Sequence, residues 1–186
     1  MAQPRATTEQ YATPASIAAE AIYFAHGKRD IAARSVVDLG CGNGVLAIAA
    51  RILGATRVVG IDSDPAALET ARENAARAKV DVEWRLGDVG ALREPFETVV
   101  MNPPFGAQRR GADRPFLATA MACGRSVYVF LNAKAEGFVR RRIEGGDGRI
   151  TDRVVYRFPI PHTFEFHREA VRRVEVVFYR FEVAKG

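Results

Sequence analysis

The run Asn102-Pro103-Pro104-Phe105 sets a carboxamide, two residues without N–H groups and an aromatic ring in consecutive positions. Paired prolines hold the backbone extended and remove two donors, so the carbonyls there serve only as acceptors. Together with the Asn102 side-chain carbonyl they can take both protons of a planar exocyclic amine. Held that way, the amine lone pair leaves ring conjugation and can be aimed at an electrophilic methyl group. Phe105 offers a face on which the base carrying that amine can stack. A cationic methyl donor is already activated, so positioning and electrostatics would carry the rate without a strong base. Asn102, Pro103, Pro104 and Phe105 are therefore the candidate catalytic residues. A turn that merely closes a strand could use the same four, so their neighbours decide the matter.

A second cluster lies upstream. Asp38-Leu39-Gly40-Cys41-Gly42-Asn43-Gly44 follows a short apolar run, and glycines there allow a sharp turn and close approach of a ligand to the main chain. The spacing G-x-G-x-G differs from the dinucleotide fingerprint, and no Gly-Lys-Ser/Thr follows to make a P-loop. Asp62 comes 22 residues after Gly40, near the offset of about 20 at which an acid takes ribose hydroxyls. Asp88 ends a third expected strand, where it could meet an adenine edge. Any one such acid can be a helix cap; three in succession point to a nucleotide-type pocket.

These residues need a frame. Thr13-Pro14 suits a helix opening, with a capping hydroxyl and then a proline, and the helix runs to Gly27. Strands are expected at 35–39, 57–61, 82–86, 98–101 and 127–131. Helices are expected at 45–53, from Asp64-Pro65 to about Lys79, from Asp113 to Cys123 with Gly124 as its stop, and at 134–143. The early strands are continuous apolar runs separated by helices, the pattern of a parallel sheet covered on both faces. Only the last two, near 150–158 and 171–183, alternate clearly. The chain thus reads as an α/β doubly wound domain ending in an antiparallel hairpin.

Composition narrows the classes. The chain has 186 residues, without repeats or a linker-like stretch, so one domain over 1–186 is expected. Cys41 and Cys123 cannot make a disulfide scaffold, no C-x-x-C pair offers a zinc site, and His162 and His167, five apart, have no thiol near them. No metal is therefore expected. No run approaches the ~18 apolar residues of a membrane span, and Met1 to Gln10 lacks a secretory core, so a cytoplasmic, reducing setting is expected. The net charge is +5, with 27 basic and 22 acidic residues, and 23 of the basic residues are arginines. Arginine suits phosphate recognition, although a GC-rich genome also raises it. Clusters say more than the total. Arg109, Arg110, Arg114 and Arg125 against Asp113 give +3 just after the Pro-Pro motif, and Arg140-Arg141-Arg142 follows. The segment 159–170 mixes Phe164 and Phe166 with His162 and His167, a composition suited to unpaired nucleotides.

On the motif from Asp38 to Gly44 and the acid ending the second strand, the chain resembles the class I S-adenosylmethionine-dependent methyltransferases. Asn-Pro-Pro-aromatic is the signature of their amino methyltransferases. Glu9 to Thr13, Asn102 to Arg109 and Phe158 to His167 narrow the resemblance to the archaeal and eukaryotic adenine-N6 methyltransferases of small-subunit ribosomal RNA, over nearly the whole chain. The resemblance implies a Rossmann-like, seven-stranded, mostly parallel sheet with a C-terminal antiparallel hairpin and helices on both faces. Residues 1–27 would form a cofactor lid and helix, 35–131 the cofactor-binding and catalytic core, and 132–186 a helix and hairpin. Asp38, Gly40, Asn43 and Val45 would line the methionine and ribose part of S-adenosylmethionine. Asp62 would hold the ribose, Asp88 the adenine amine, and Gln10 and Thr13 would touch the cofactor from the lid.

Arg109, Arg110, Phe164 and His167 are the substrate-contact candidates, the substrate being a loop or junction in RNA. In the eukaryotic family the catalytic chain pairs with a small zinc-ribbon activator by adding a strand to a sheet edge, and Val58 to Ile61 is a candidate edge. The family carries a His-Lys pair after the fifth strand, whereas this chain has Leu131-Asn132-Ala133-Lys134; no substrate contact is assigned there. Guanine-N2 or glutamine-N5 methylation shares the amine chemistry, and a non-catalytic cofactor-binding scaffold is the remaining alternative.

Overall fold

The computed structural model describes residues 13–104, 114–161 and 171–184. Its strands are β1 (Ser35–Leu39), β2 (Arg57–Asp62), β3 (Glu83–Leu86), β4 (Phe96–Met101), β5 (Gly124–Asn132), β6 (Gly148–Pro161) and β7 (Val171–Val183). The helices are α1 (Ala15–Gly27), α2 (Val45–Ile52), α3 (Pro65–Ala78), α4 (Arg114–Cys123) and α5 (Glu136–Glu144). The strands form one sheet in the order β3-β2-β1-β4-β5-β7-β6, with β1 to β5 parallel and β7 antiparallel to both its neighbours. This is the expected Rossmann-like architecture with its closing hairpin.

Why the first strands are apolar throughout is plain from the packing. Val36, Val58 and Val100 face α1 and α2, whereas Val37, Val59 and Val99 face α4 and α5. Successive side chains in a strand point to opposite faces, so a doubly covered strand has no polar side to show. α3 packs over β2, β3 and α2 through Leu68, Ala71 and Ala75.

Several local expectations are corrected. Thr13 does not cap α1, whose N-cap position is Pro14 without a side-chain bond; the Thr13 hydroxyl has a more distant partner, described below. β2 is not an edge strand, because it pairs with β1 on one side and β3 on the other, so Val58 to Ile61 cannot accept an added strand. The edges are β3 and β6. Gly124 opens β5 rather than closing α4 with a loop, and a 3-10 turn over Ala133–Ala135 precedes α5. Asp64 does cap α3, its Oδ1 accepting from Ala66 N–H at 2.9 Å with Pro65 at the first position.

The amino ends of the parallel strands are clamped by a polar network. The Asp30 carboxylate accepts from Ser126 Oγ at 3.1 Å, Tyr128 Oη at 2.6 Å and Arg180 Nε at 2.9 Å. The side chains of Arg180 and Asp30 are only 9% and 15% exposed. The network ties the segment after α1 to β5 and β7, at the end of the sheet away from the candidate site.

Candidate methyl-transfer site

All the chemistry-bearing segments leave the sheet at one end. Registers Leu39↔Ile61, Leu39↔Met101 and Asp62↔Leu86 align the carboxyl ends of β1, β2, β3 and β4. The strand order reverses between β1 and β4, the switch point at which ligands settle in open α/β sheets. The glycine loop follows β1 and Asn102 follows β4, so the two clusters recognised in the sequence flank that crevice.

The loop is shaped by backbone geometry and by two aromatic rings. Gly40, Gly42 and Gly44 have φ of +69°, +53° and +79°, a region that side-chain-bearing residues seldom occupy. The N–H groups of Gly40 and Cys41 both donate to Ile61 O, at 2.8 and 2.9 Å, which hangs the loop on β2. A Cβ at Gly40 would stand 2.7 Å from Phe116 of α4, and one at Gly44 would stand 2.5 Å from the Trp84 ring of β3. Trp84 also lies over Gly60 of β2, where a Cβ would meet the ring at 2.4 Å. Glycine is thus dictated by close packing and turn geometry at 40 and 44, and by close packing alone at 60.

The acids brace this loop from beneath. Asp62 is 2% exposed; its Oδ2 accepts from Gly42 N–H at 2.8 Å and its Oδ1 from Asp64 N–H at 2.9 Å. Asp38 is 1% exposed. Its Oδ2 accepts from Ala47 N–H in α2 at 3.1 Å, while its Oδ1 is buried without a partner among the described residues. Burial pushes the Asp38 carboxyl up to about 7; the Ala47 N–H opposes this and the charge of Asp62 adds to it. The same surroundings, burial first and then Asp38 and Asp62, push the Cys41 thiol up, so it is not a nucleophile. Asn43 Oδ1 accepts from Val45 N–H at 3.3 Å, and Asn74 of α3 donates to the Asn43 carbonyl at 3.0 Å. Asp88 is exposed beyond β3, with Oδ1 accepting from Gly90 N–H at 2.7 Å.

Across the crevice, the Asn102 amide donates through Nδ2 to Thr13 Oγ1 at 2.9 Å. Thr13 is buried, and this bond orients the carboxamide of the first motif residue. Pro103 is buried and Pro104 half-buried. Gln10, Phe105, Arg109, Arg110, Phe164 and His167 lie outside the described residues. Sequence reasoning missed Trp84, Phe116 and the Thr13–Asn102 bond. The signal for Trp84 was its place as the chain's one tryptophan beside a strand that carries a glycine.

The residues fit an S-adenosylmethionine-type ligand: a cradle without side chains at its tightest points, an unpartnered buried carboxylate oxygen and a second acid beneath the loop. Among the described residues no cluster of His, Cys, Asp or Glu could hold a metal, and no helix is long and apolar enough to cross a membrane.

Comparison with known proteins agrees with this geometry. Residues 19–125 match the family model of the methyltransferase small domain. The uncharacterized protein MJ0284 of Methanocaldococcus jannaschii is 38% identical, over 96% of this chain and 86% of its own. The Drosophila melanogaster rRNA N(6)-adenosine-methyltransferase Mettl5 is 34% identical, over 97% of this chain and 89% of its own. A crystal structure from Pyrococcus horikoshii, described as a candidate RNA methyltransferase, superposes with a TM-score of 0.86 at 36% identity, covering 98% of this chain and 91% of that one. With a family model across more than half of its length and near-full-length relatives above 30% identity, the chain belongs to the methyltransferase small-domain family, alongside the Mettl5-type methyltransferases.

Proposed function

We propose that the chain transfers a methyl group from S-adenosylmethionine to the N6 amine of an adenosine in structured RNA, in the small ribosomal subunit. The observation that carries this reading is the pairing of Asn102 with Thr13 directly across from the glycine loop, in a family whose near-full-length relative acts on rRNA adenosine. When bound, S-adenosylmethionine supplies a sulfonium-activated methyl group. Asp38, Gly40, Asn43, Val45, Asp62 and Asp88 hold it at the carboxyl ends of β1 to β3, with Gln10 and Thr13 on the lid side. The buried Asp62, joined by Asp38 once it has lost its proton, puts negative charge under a cationic ligand, which favours binding in a desolvated site.

Thr13 fixes the Asn102 carboxamide by taking an N–H, and the carboxamide oxygen is the acceptor assigned to the amine. That oxygen and a main-chain carbonyl of the Pro-Pro segment take the two amine protons and aim the nitrogen lone pair at the methyl carbon. Phe105 stacks on the base; as the C–N bond formed, the methyl C–S bond would break with its electron pair left on sulfur as a neutral thioether, and the amine proton would pass to solvent. Holding the reacting atoms in line is worth up to about 7–11 kcal/mol without any acid or base. Arg109, Arg110, Phe164 and His167 are assigned to RNA contacts.

One sheet carries both halves of the site, which supports reading the chain as a single catalytic domain. The two buried cysteines suit a reducing, cytoplasmic setting. For a zinc-ribbon activator, β3 is the strand to which a partner strand adds at the cofactor end, since β2 is enclosed. Co-purification with such a protein, lost when β3 is broken by Arg85→Pro, is the result expected. The catalytic assignment is tested by Asn102→Ala: transfer is lost while the dissociation constant for S-adenosylmethionine is kept. Retained transfer would remove Asn102 from the mechanism.

A further inference from the structure

The 3-10 turn Ala133–Ala135 and α5 follow directly on the carboxyl end of β5, so α5 begins at the same end of the sheet as Asn102. α5 buries Val139 and Ile143, while Phe138 remains 39% exposed. The guanidinium of Arg114, the first residue of α4, lies 5.4 Å from the centre of the Phe138 ring. A single exposed apolar side chain is ordinary; the charges around this one are not balanced. Arg141 and Arg142 stand three and four residues on from Phe138, the spacing of one helix face, and Lys134 precedes it. None of Arg114, Lys134, Arg141 and Arg142 has an acidic partner among the described residues. The two acids of α5 are taken, Glu136 by Arg153 and Glu144 by Arg140. By contrast, in the crevice of about 1,090 Å³ at the opposite end of the sheet Arg34, Arg149 and Arg180 are paired with acids of its own lining. α4 also places Phe116 against Gly40, so its first turn joins the Phe138 surface to the glycine loop.

We propose that the Arg114–Phe138 stack is a docking platform for an unpaired nucleotide flanking the methylated adenosine, with Arg141 and Arg142 on its phosphates. The proposal rests on the RNA reading above and adds the residues that grip the strand. An exposed ring with a guanidinium on one face leaves the other free for a base, and stacking of this kind tolerates any base. Uncompensated arginines beside it supply the phosphate contacts that an unpaired strand needs.

The test measures binding of a fluorescently labelled unpaired RNA of about 12 nucleotides, within the site sizes of such proteins, and methyl transfer to structured RNA. Phe138→Ala is expected to weaken RNA binding about five- to 150-fold, raising KM for RNA with kcat and S-adenosylmethionine affinity nearly unchanged. Phe138→Trp restores binding, which a purely structural role would not require of an exposed position. The pair Arg141→Gln with Arg142→Gln is expected to flatten the dependence of log K on log salt by about 1.4, two phosphates at ~0.7 each. RNA affinity of Phe138→Ala within about twofold of the unaltered chain overturns the platform alone, provided the unaltered chain methylates RNA. If the unaltered chain neither binds nor methylates any RNA, the proposed function falls, and the platform with it.

Discussion

Replacing Gly60 by alanine isolates the contact that joins the sheet to the cofactor loop. Gly60 lies inside β2 with ordinary strand geometry, so the new methyl brings no left-handed strain and acts through its volume alone. Its Cβ would stand 2.4 and 2.5 Å from two carbons of Trp84 and 3.1 Å from Cys41 Sγ. Comfortable carbon contacts begin near 3.5 Å, so the indole must move by about 1 Å. The indole cannot do so while keeping its seat over Gly44. Overpacking of this kind costs about 1–3 kcal/mol, offset by about 0.5–1 kcal/mol from the lower backbone entropy of alanine. The net expectation is a loss of about 1–2 kcal/mol, or roughly 2–8 °C in Tm for a domain of this size. In a Trp84→Ala background the obstructing ring is gone, and Gly60→Ala becomes neutral or slightly stabilising. The coupling energy from the four proteins should therefore be about 2 kcal/mol. Urea unfolding followed by far-UV circular dichroism measures it, and S-adenosylmethionine affinity should fall in parallel for Gly60→Ala. An equal cost of Gly60→Ala with and without the indole would refute the reasoning.

Other perturbations separate the parts of the site. Thr13→Val removes the acceptor that orients Asn102 and is expected to lower kcat about tenfold, the worth of a ~1.4 kcal/mol loss, measured at saturating S-adenosylmethionine so that the lid contact of Thr13 drops out of the comparison. Asp38 is held near 7 against an ordinary 3.8. Between those values the folded chain keeps a proton that the unfolded chain has lost, so stability is fully present below about pH 4 and declines as pH rises to about 7. The decline is at most about 4 kcal/mol. Asp38→Asn should flatten this window in urea titrations at stepped pH. At the far end of the sheet, Asp30→Ala removes one of the two carboxylates on the buried Arg180 cation, Glu182 keeping the other, and should cost about 1–3 kcal/mol. Because that network lies away from the site, S-adenosylmethionine affinity at a temperature well below unfolding should be unchanged.

Much of the frame was legible because its causes are local. Val36-Val37 and Val58-Val59 are apolar at both parities since each strand is covered on both sides, and Asp64-Pro65 opens α3 through a bond within its own turn. What escaped was nonlocal. Strand order cannot be read from the strands themselves, so β2 passed for a possible edge until its pairing with both β1 and β3 was seen. Thr13 looked like a helix cap because a hydroxyl before proline usually is one, yet its partner lies 89 residues away. Trp84 reads as an ordinary strand residue; its role comes from two glycines on other segments that leave room for the ring. The cations of α5 looked like one basic cluster, but Arg140 is spent on Glu144 and only the structure separates it from Arg141 and Arg142.

The central claim is that the Asn102 site methylates the N6 amine of adenosine in RNA. The most direct measurement is transfer of labelled methyl from S-adenosylmethionine to purified RNA pools by the unaltered chain, followed by nucleoside analysis. Label is predicted in N6-methyladenosine from ribosomal RNA and absent with Asn102→Ala. Label in N2-methylguanosine or in protein, with none in N6-methyladenosine, would contradict the account.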